Sequence, residues 1–213
     1  MTYKYDYLVI GSGIAGMSFA LKSARHGRVA LVCKTTLEEA NTYFAQGGVA
    51  SVTNLAVDDF DKHIRDTMVA GDWLSDPRAV EKVVRDAPGQ IRQLVEWGVD
   101  FDRNDAGEYD LHREGGHSEF RILHHADNTG AEIQEKLVEA VRRNPNIDIF
   151  ENHFAIEILT QHHLGKVVTR RTPDITCYGA YVLNEASEQV DTFLRKVRPL
   201  LEGTSGDTPD IDL

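Results

Sequence analysis

The chain has 213 residues, 41% hydrophobic and 27% charged, with a formal net charge of −11. That length holds one substantial core, or one domain with an appendage. The acidic balance excludes a nucleic-acid binder, because phosphate contacts need clustered Lys and Arg. Small anionic substrates stay open to it, since a few placed cations bind those inside an acidic shell. Cys33 and Cys177 are too few and too far apart for a disulfide framework, and no Cys/His spacing suggests a metal. Cys33 reads as a buried strand thiol. With no apolar stretch long enough for a signal peptide or a membrane span, a reduced cytoplasmic protein is expected.

In chain order, Tyr7–Ile10 is a short apolar run ending in glycine, as in a strand buried on both faces. Gly11-Ser12-Gly13-Ile14-Ala15-Gly16 follows, then helical content from Met17 to His26, a stop at Gly27 and a second strand at Val29–Cys33. These make one βαβ unit. Residues 41–56 lack a period and read as a loop. Asp76-Pro77 starts a helix with an apolar face of Ala79, Val80, Val83 and Val84. Asp86-Ala87-Pro88 is expected to end it and start another, carrying Ile91, Leu94 and Val95 up to Gly98. Residues 102–130 are polar and hold His112, His117, His124 and His125. Thr129 and Glu132 resemble a capping box ahead of Ile133, Leu137, Val138 and Val141. After a turn at Asn144-Pro145-Asn146, strands are expected at Ile147–Glu151, Phe154–Leu159 and Tyr178–Leu183. From residue 185 the character changes, and 202–209 reads as a disordered acidic tail.

The glycine turn carries the first chemistry. Gly11 permits the tight turn, Gly13 lets backbone approach a pyrophosphate, and Gly16 lets helix and strand pack closely. The helix N-terminus then offers N–H groups and a positive dipole end to phosphates. The ribose-binding acid usual at the end of the second strand is replaced by Cys33-Lys34. Lys34 disfavours simple NAD binding and suggests a phosphate contact or another ribose geometry.

With that turn, the run Asn41-Thr42-Tyr43-Phe44-Ala45-Gln46-Gly47-Gly48-Val49-Ala50 resembles the flavin-contacting loop of the succinate dehydrogenase and fumarate reductase flavoprotein superfamily. The paired glycines would let backbone amides reach the isoalloxazine and pyrophosphate. The resemblance implies FAD bound by Gly11, Ser12, Gly13, Ile14, Ala15, Gly16 and Lys34, and by Asn41, Thr42, Tyr43, Phe44, Ala45, Gln46, Gly47 and Gly48. Ala155 matches a position whose backbone meets the adenine. Members of membrane complexes carry a histidine bonded to the flavin where Asn41 stands, so non-covalent FAD is implied.

Arg113-Glu114-Gly115-Gly116-His117-Ser118 is similar to the L-aspartate oxidase branch, the dicarboxylate oxidoreductases having an apolar residue at the place of Glu114. Aspartate is succinate with an added ammonium, so Glu114 would be the substrate-orienting carboxylate. Such a pair would favour aspartate by on the order of 1–3 kcal/mol. His117, His124 and His125 are read as hydrogen-bonding or surface residues rather than metal ligands. Arg121 has two open readings, a carboxylate-binding cation or a surface residue.

The resemblance runs from about Asp6 to about Asn184. It implies an α/β, Rossmann-like FAD-binding domain with a parallel sheet plus a β-meander, over residues 1–184. Residues 185–213 are a non-matching tail, with a faint echo of the family's strand and glycine turn at 196–206. The capping domain and its motifs do not occur, so a truncated or frame-shifted reading frame with weak or no turnover is expected. The implied reaction is oxidation of L-aspartate to iminoaspartate, the first step of NAD biosynthesis. Oxygen or fumarate would take the electrons and quinolinate synthase would receive the imine, with neither nucleic acid nor membrane as partner. Two other readings stay open: a soluble fumarate reductase-like enzyme, and a non-catalytic flavin-binding remnant.

Overall fold

The computed structural model describes residues 1–195. In chain order come β1 (Thr2–Tyr5), β2 (Tyr7–Ile10), α1 (Ile14–Ser23), β3 (Val29–Val32), β4 (Val49–Ala50), α2 (Phe60–Ala70) and α3 (Pro77–Glu96). Then follow β5 (Ile122–Leu123), α4 (Thr129–Arg143), β6 (Ile147–Phe150), β7 (His153–Thr160), a 3-10 turn, β8 (Cys177–Asn184) and β9 (Gln189–Arg195). The expected single domain divides into two compact units. Among the described residues, one is residues 1–39 with residues 141–195, and the other is residues 40–140.

In the first unit, β2, β3 and β6 form a parallel sheet, with Tyr7 opposite Val29 and Val29 opposite Ile147. β3 is buried along its whole length, which is why Val29–Val32 is an unbroken apolar run. Cys33 follows it, buried and free, and burial together with Glu151 pushes its thiol up to about 11. The second sheet runs β1-β9-β8-β7, an antiparallel meander to which β1 adds in parallel. Ala30 and Val32 of β3 meet Ala180, Val182 and Phe193 in one core. Phe193 stacks on Tyr3 at 4.8 Å and meets Phe150 edge-on at 4.8 Å. The α/β, Rossmann-like architecture with a meander is therefore present.

The expected tail is corrected here. β9 forms a hairpin with β8, in register from Asn184↔Gln189 to Gly179↔Leu194, so residues 189–195 belong to the fold. Polar Gln189, Asp191 and Thr192 disguised the strand, yet Asp191 and Thr192 are buried with Phe193. The rest of that tail, residues 196–213 with the echo at 196–206, lies outside the described residues.

In the second unit, Asp59 caps α2 by accepting the N–H of Lys62, and Met68 packs with Phe60 and Ile64 against Val80 and Val84 of α3. Asp76 caps α3 as expected, but Pro88 does not end it. Proline in a helix interior costs about 3 kcal/mol and one ladder bond. The buried face runs through the break as Val80, Val84, Ile91 and Leu94. Burying Ile91 and Leu94 at about 1.5–3 kcal/mol each outweighs that cost. The expected capping box is also absent, because Thr129 already belongs to α4 and its hydroxyl accepts the N–H of His125. Glu132 accepts the N–H of Asp100. The loop expected over 41–56 contains β4, paired antiparallel with β5. Among the described residues no helix is long and apolar enough to cross a membrane.

Candidate functional site

The first turn is built by backbone. Gly11 has φ +108° and its N–H bonds the carbonyl of Val32 at 2.8 Å, which folds the chain off β2. A β-carbon on Gly16 would stand 1.9 Å from the Gly11 carbonyl oxygen, so only glycine lets α1 start this close to the strand end. Gly13 is the N-cap of α1, with no side-chain cap and no acidic residue in the first turn. Such an end suits an anion. Ser12 is buried, Ile14 and Ala15 are exposed, and Lys34 is exposed past the end of β3. Ala155 is half-buried on β7 opposite Val182, one residue before a bulge.

In the other unit, the loop from Asn41 to Gly48 packs on the start of α4. Gly130 donates to the Ala45 carbonyl at 2.9 Å, and a β-carbon on Gly130 would stand 2.0 Å from the Thr42 carbonyl oxygen. Gly48 is equally constrained, its β-carbon position lying 2.3 Å from Ile122 Cγ2. Asn41, Tyr43, Phe44, Ala45, Gln46 and Gly47 are exposed and Thr42 is half-buried. Tyr43, Phe44, Ala45 and Gln46 line a groove with His125 and Asn128.

Glu114 is exposed, and the amide of Gly48 donates to its Oε1 at 3.5 Å. The two motifs most telling in sequence thus meet within one unit. The segment after Glu114 turns through Gly116 at φ +86°, with His117 N–H bonded to the Glu114 carbonyl at 3.2 Å. Both open readings of Arg121 give way to a third. Its side chain is fully buried, with Nε and Nη2 each donating to Asp58 at 2.8 Å and Nη1 donating to Asp66. Asp66 also accepts the N–H and hydroxyl of Ser118, both at 2.8 Å. Burial alone would raise the Asp66 carboxyl, but the Ser118 and Arg121 bonds overcome it and hold it below the usual range.

Beside this network, burial, then Arg121 and His117, push the His63 imidazole down to about 4, against the opposing pull of Asp58 and Asp66. The unfolded chain takes up that proton near pH 6.5, the folded chain only near 4. Stability should therefore fall as pH drops from 6.5 towards 4, by about 3 kcal/mol from this group. Urea titrations across that range check it, and His63→Leu should flatten the slope.

Asp110, His112 and His124 bring ligand atoms within 4.8 Å of one another. The rings of His112 and His124 stack at 3.7 Å and 25°. Sequence reading missed Asp58, His63 and Asp66. The cap at Asp59 and the i, i+4, i+8 pattern of Phe60, Ile64 and Met68 would have disclosed α2, and with it the face carrying His63 and Asp66.

A βαβ unit with a glycine turn and an antiparallel meander make up an α/β domain of the dinucleotide-binding class. Residues 6–205 match the FAD binding domain family, and the chain belongs to it. It is 43% identical over 206 residues to L-aspartate oxidase 2-b, chloroplastic, of Nicotiana tabacum, a match covering 97% of this chain and 30% of that protein. It is 42% identical over 208 residues to L-aspartate oxidase of Pseudomonas aeruginosa, covering 94% of this chain and 37% of the relative. The chain thus spans about a third of the curated relatives' length. E. coli quinol fumarate reductase FrdA superposes with TM-score 0.80 at 27% identity, covering 91% of this chain and 32% of that one.

Proposed function

We propose that this chain binds FAD without a covalent link and serves the oxidation of L-aspartate to iminoaspartate. The carrying observation is the Gly48 amide on the Glu114 carboxylate at 3.5 Å, which joins the loop resembling a flavin contact to the residue suited to an ammonium. The Gly11–Gly16 turn, with Gly11 at φ +108° and no room for a β-carbon on Gly16, leaves the backbone at the start of α1 to suit a pyrophosphate. The residues that would hold FAD are Gly11 to Gly16, Lys34, Asn41 to Gly48, and the backbone at Ala155. When bound, FAD supplies the acceptor for the hydride leaving Cα. Glu114 pairs with the substrate ammonium, which fixes which face of Cα is presented and discriminates against succinate. Asn41 has no ring nitrogen to attach to a flavin.

Oxygen or fumarate is the electron acceptor of this reading, and quinolinate synthase the consumer of the imine. A reducing, cytoplasmic location belongs to this reading.

The test is the visible spectrum of the purified chain with FAD, before and after anaerobic L-aspartate. A flavin band that L-aspartate perturbs more strongly than succinate is expected. Glu114→Gln should lower the preference by about ten- to a hundredfold. A folded chain that refuses FAD, or an unchanged preference in the variant, overturns the reading.

A further inference from the structure

The buried ion network reaches the Glu114 loop at two points. The single Oδ2 of Asp66 takes both donors of Ser118 and one from Arg121. Arg121 Nη1 also faces His117 Nδ1 at 3.3 Å. A guanidinium only donates, so His117 Nδ1 is the acceptor in this contact. His117 and Ser118 close the turn that begins at Glu114, and both are held from the protein interior. Asp66 sits on α2, which is anchored by Met68 against Val80 and Val84. Without that tether, a loop carrying Gly115 and Gly116 next to Glu114 would sample many conformations.

We propose that Asp66 and Arg121 are positioning residues which, through Ser118 and His117, set where the Glu114 carboxylate stands. Asp66 is then a determinant of the preference for an amino dicarboxylate over a plain one, although it touches neither. This rests on reading Glu114 as the partner of the substrate ammonium, and it extends that reading to the support behind the carboxylate.

The experiment uses the full chain and two readouts. Without ligand, the Gly48 amide proton resonance is followed as the pH is lowered. Wild type should show a clear response, and Asp66→Asn should lose most of it. With FAD, binding of L-aspartate and of succinate is measured by the flavin spectrum, and Asp66→Asn should lower the ratio of affinities about tenfold while leaving succinate unchanged. Ser118→Ala, at an exposed residue, should show a smaller drop of the same kind, and it serves where Asp66→Asn fails to fold. Equal loss of both ligands would mark a merely structural role and overturn the proposal, as would a Gly48 response kept in both variants. If wild type itself shows no preference for L-aspartate, the functional reading fails, and the Gly48 response alone decides the positioning role.

Discussion

In Gly16→Val, FAD affinity is expected to fall by at least about a hundredfold. The new β-carbon would stand 1.9 Å from the Gly11 carbonyl oxygen and 3.0 Å from its carbon, and both are backbone atoms that cannot swing aside. The turn has to open, which separates the start of α1 from the end of β2 and spoils the Gly11 bond to Val32. Two charge-assisted bonds lost from a pyrophosphate, at about 1.5–3 kcal/mol each, account for the size of the effect. Quenching of flavin fluorescence measures it, with far-ultraviolet circular dichroism confirming that the chain stays folded. Gly89→Ala is the control, since a β-carbon there meets only Arg92 Nη2 at 3.8 Å in α3. Near wild-type affinity in Gly16→Val would remove the pyrophosphate from this turn.

The largest stability effect is expected at Arg121. Arg121→Met should destabilise the chain by about 3–5 kcal/mol, the usual consequence of removing one partner from a buried ion pair. Asp58, with a side chain 2% exposed, would keep a carboxylate in the interior and lose both bonds of the guanidinium fork. Asp66 would lose the bond that, with Ser118, outweighs its burial. Urea denaturation reads the loss. Adding Asp58→Leu to Arg121→Met should restore part of it, because the stranded charge goes too. A single variant as stable as wild type would mean that the network carries no weight in the fold.

Arg121 also marks the limit of sequence reading. As a lone cation in a polar, histidine-rich stretch it offered a substrate role or a surface role, and nothing within ten residues named its two carboxylate partners. Those partners stand at 58 and 66, on and just before a helix that the amphipathic pattern would have disclosed. Pro88 misled in the opposite way, since the local rule says break and the rule is sound. It lost to a buried face continuing through Ile91 and Leu94. In β9, four polar residues among seven hid a strand whose Phe193 lies 1% exposed in the core.

What the sequence by itself determined lies within a few residues of chain. Gly11, Gly13 and Gly16 announce their turn because a missing β-carbon is a local property. β3 is legible because burial on both faces leaves no polar position, and Asp76-Pro77 is legible because a helix start needs only a cap and a compatible φ. Tertiary structure alone decided that Gly48 donates to Glu114, that Asp66 holds Ser118, and that Phe193 closes the core with Ala30 and Val32. Such contacts join residues remote along the chain, and their stability comes from removing polar and apolar groups from water together. No short stretch of sequence carries that information.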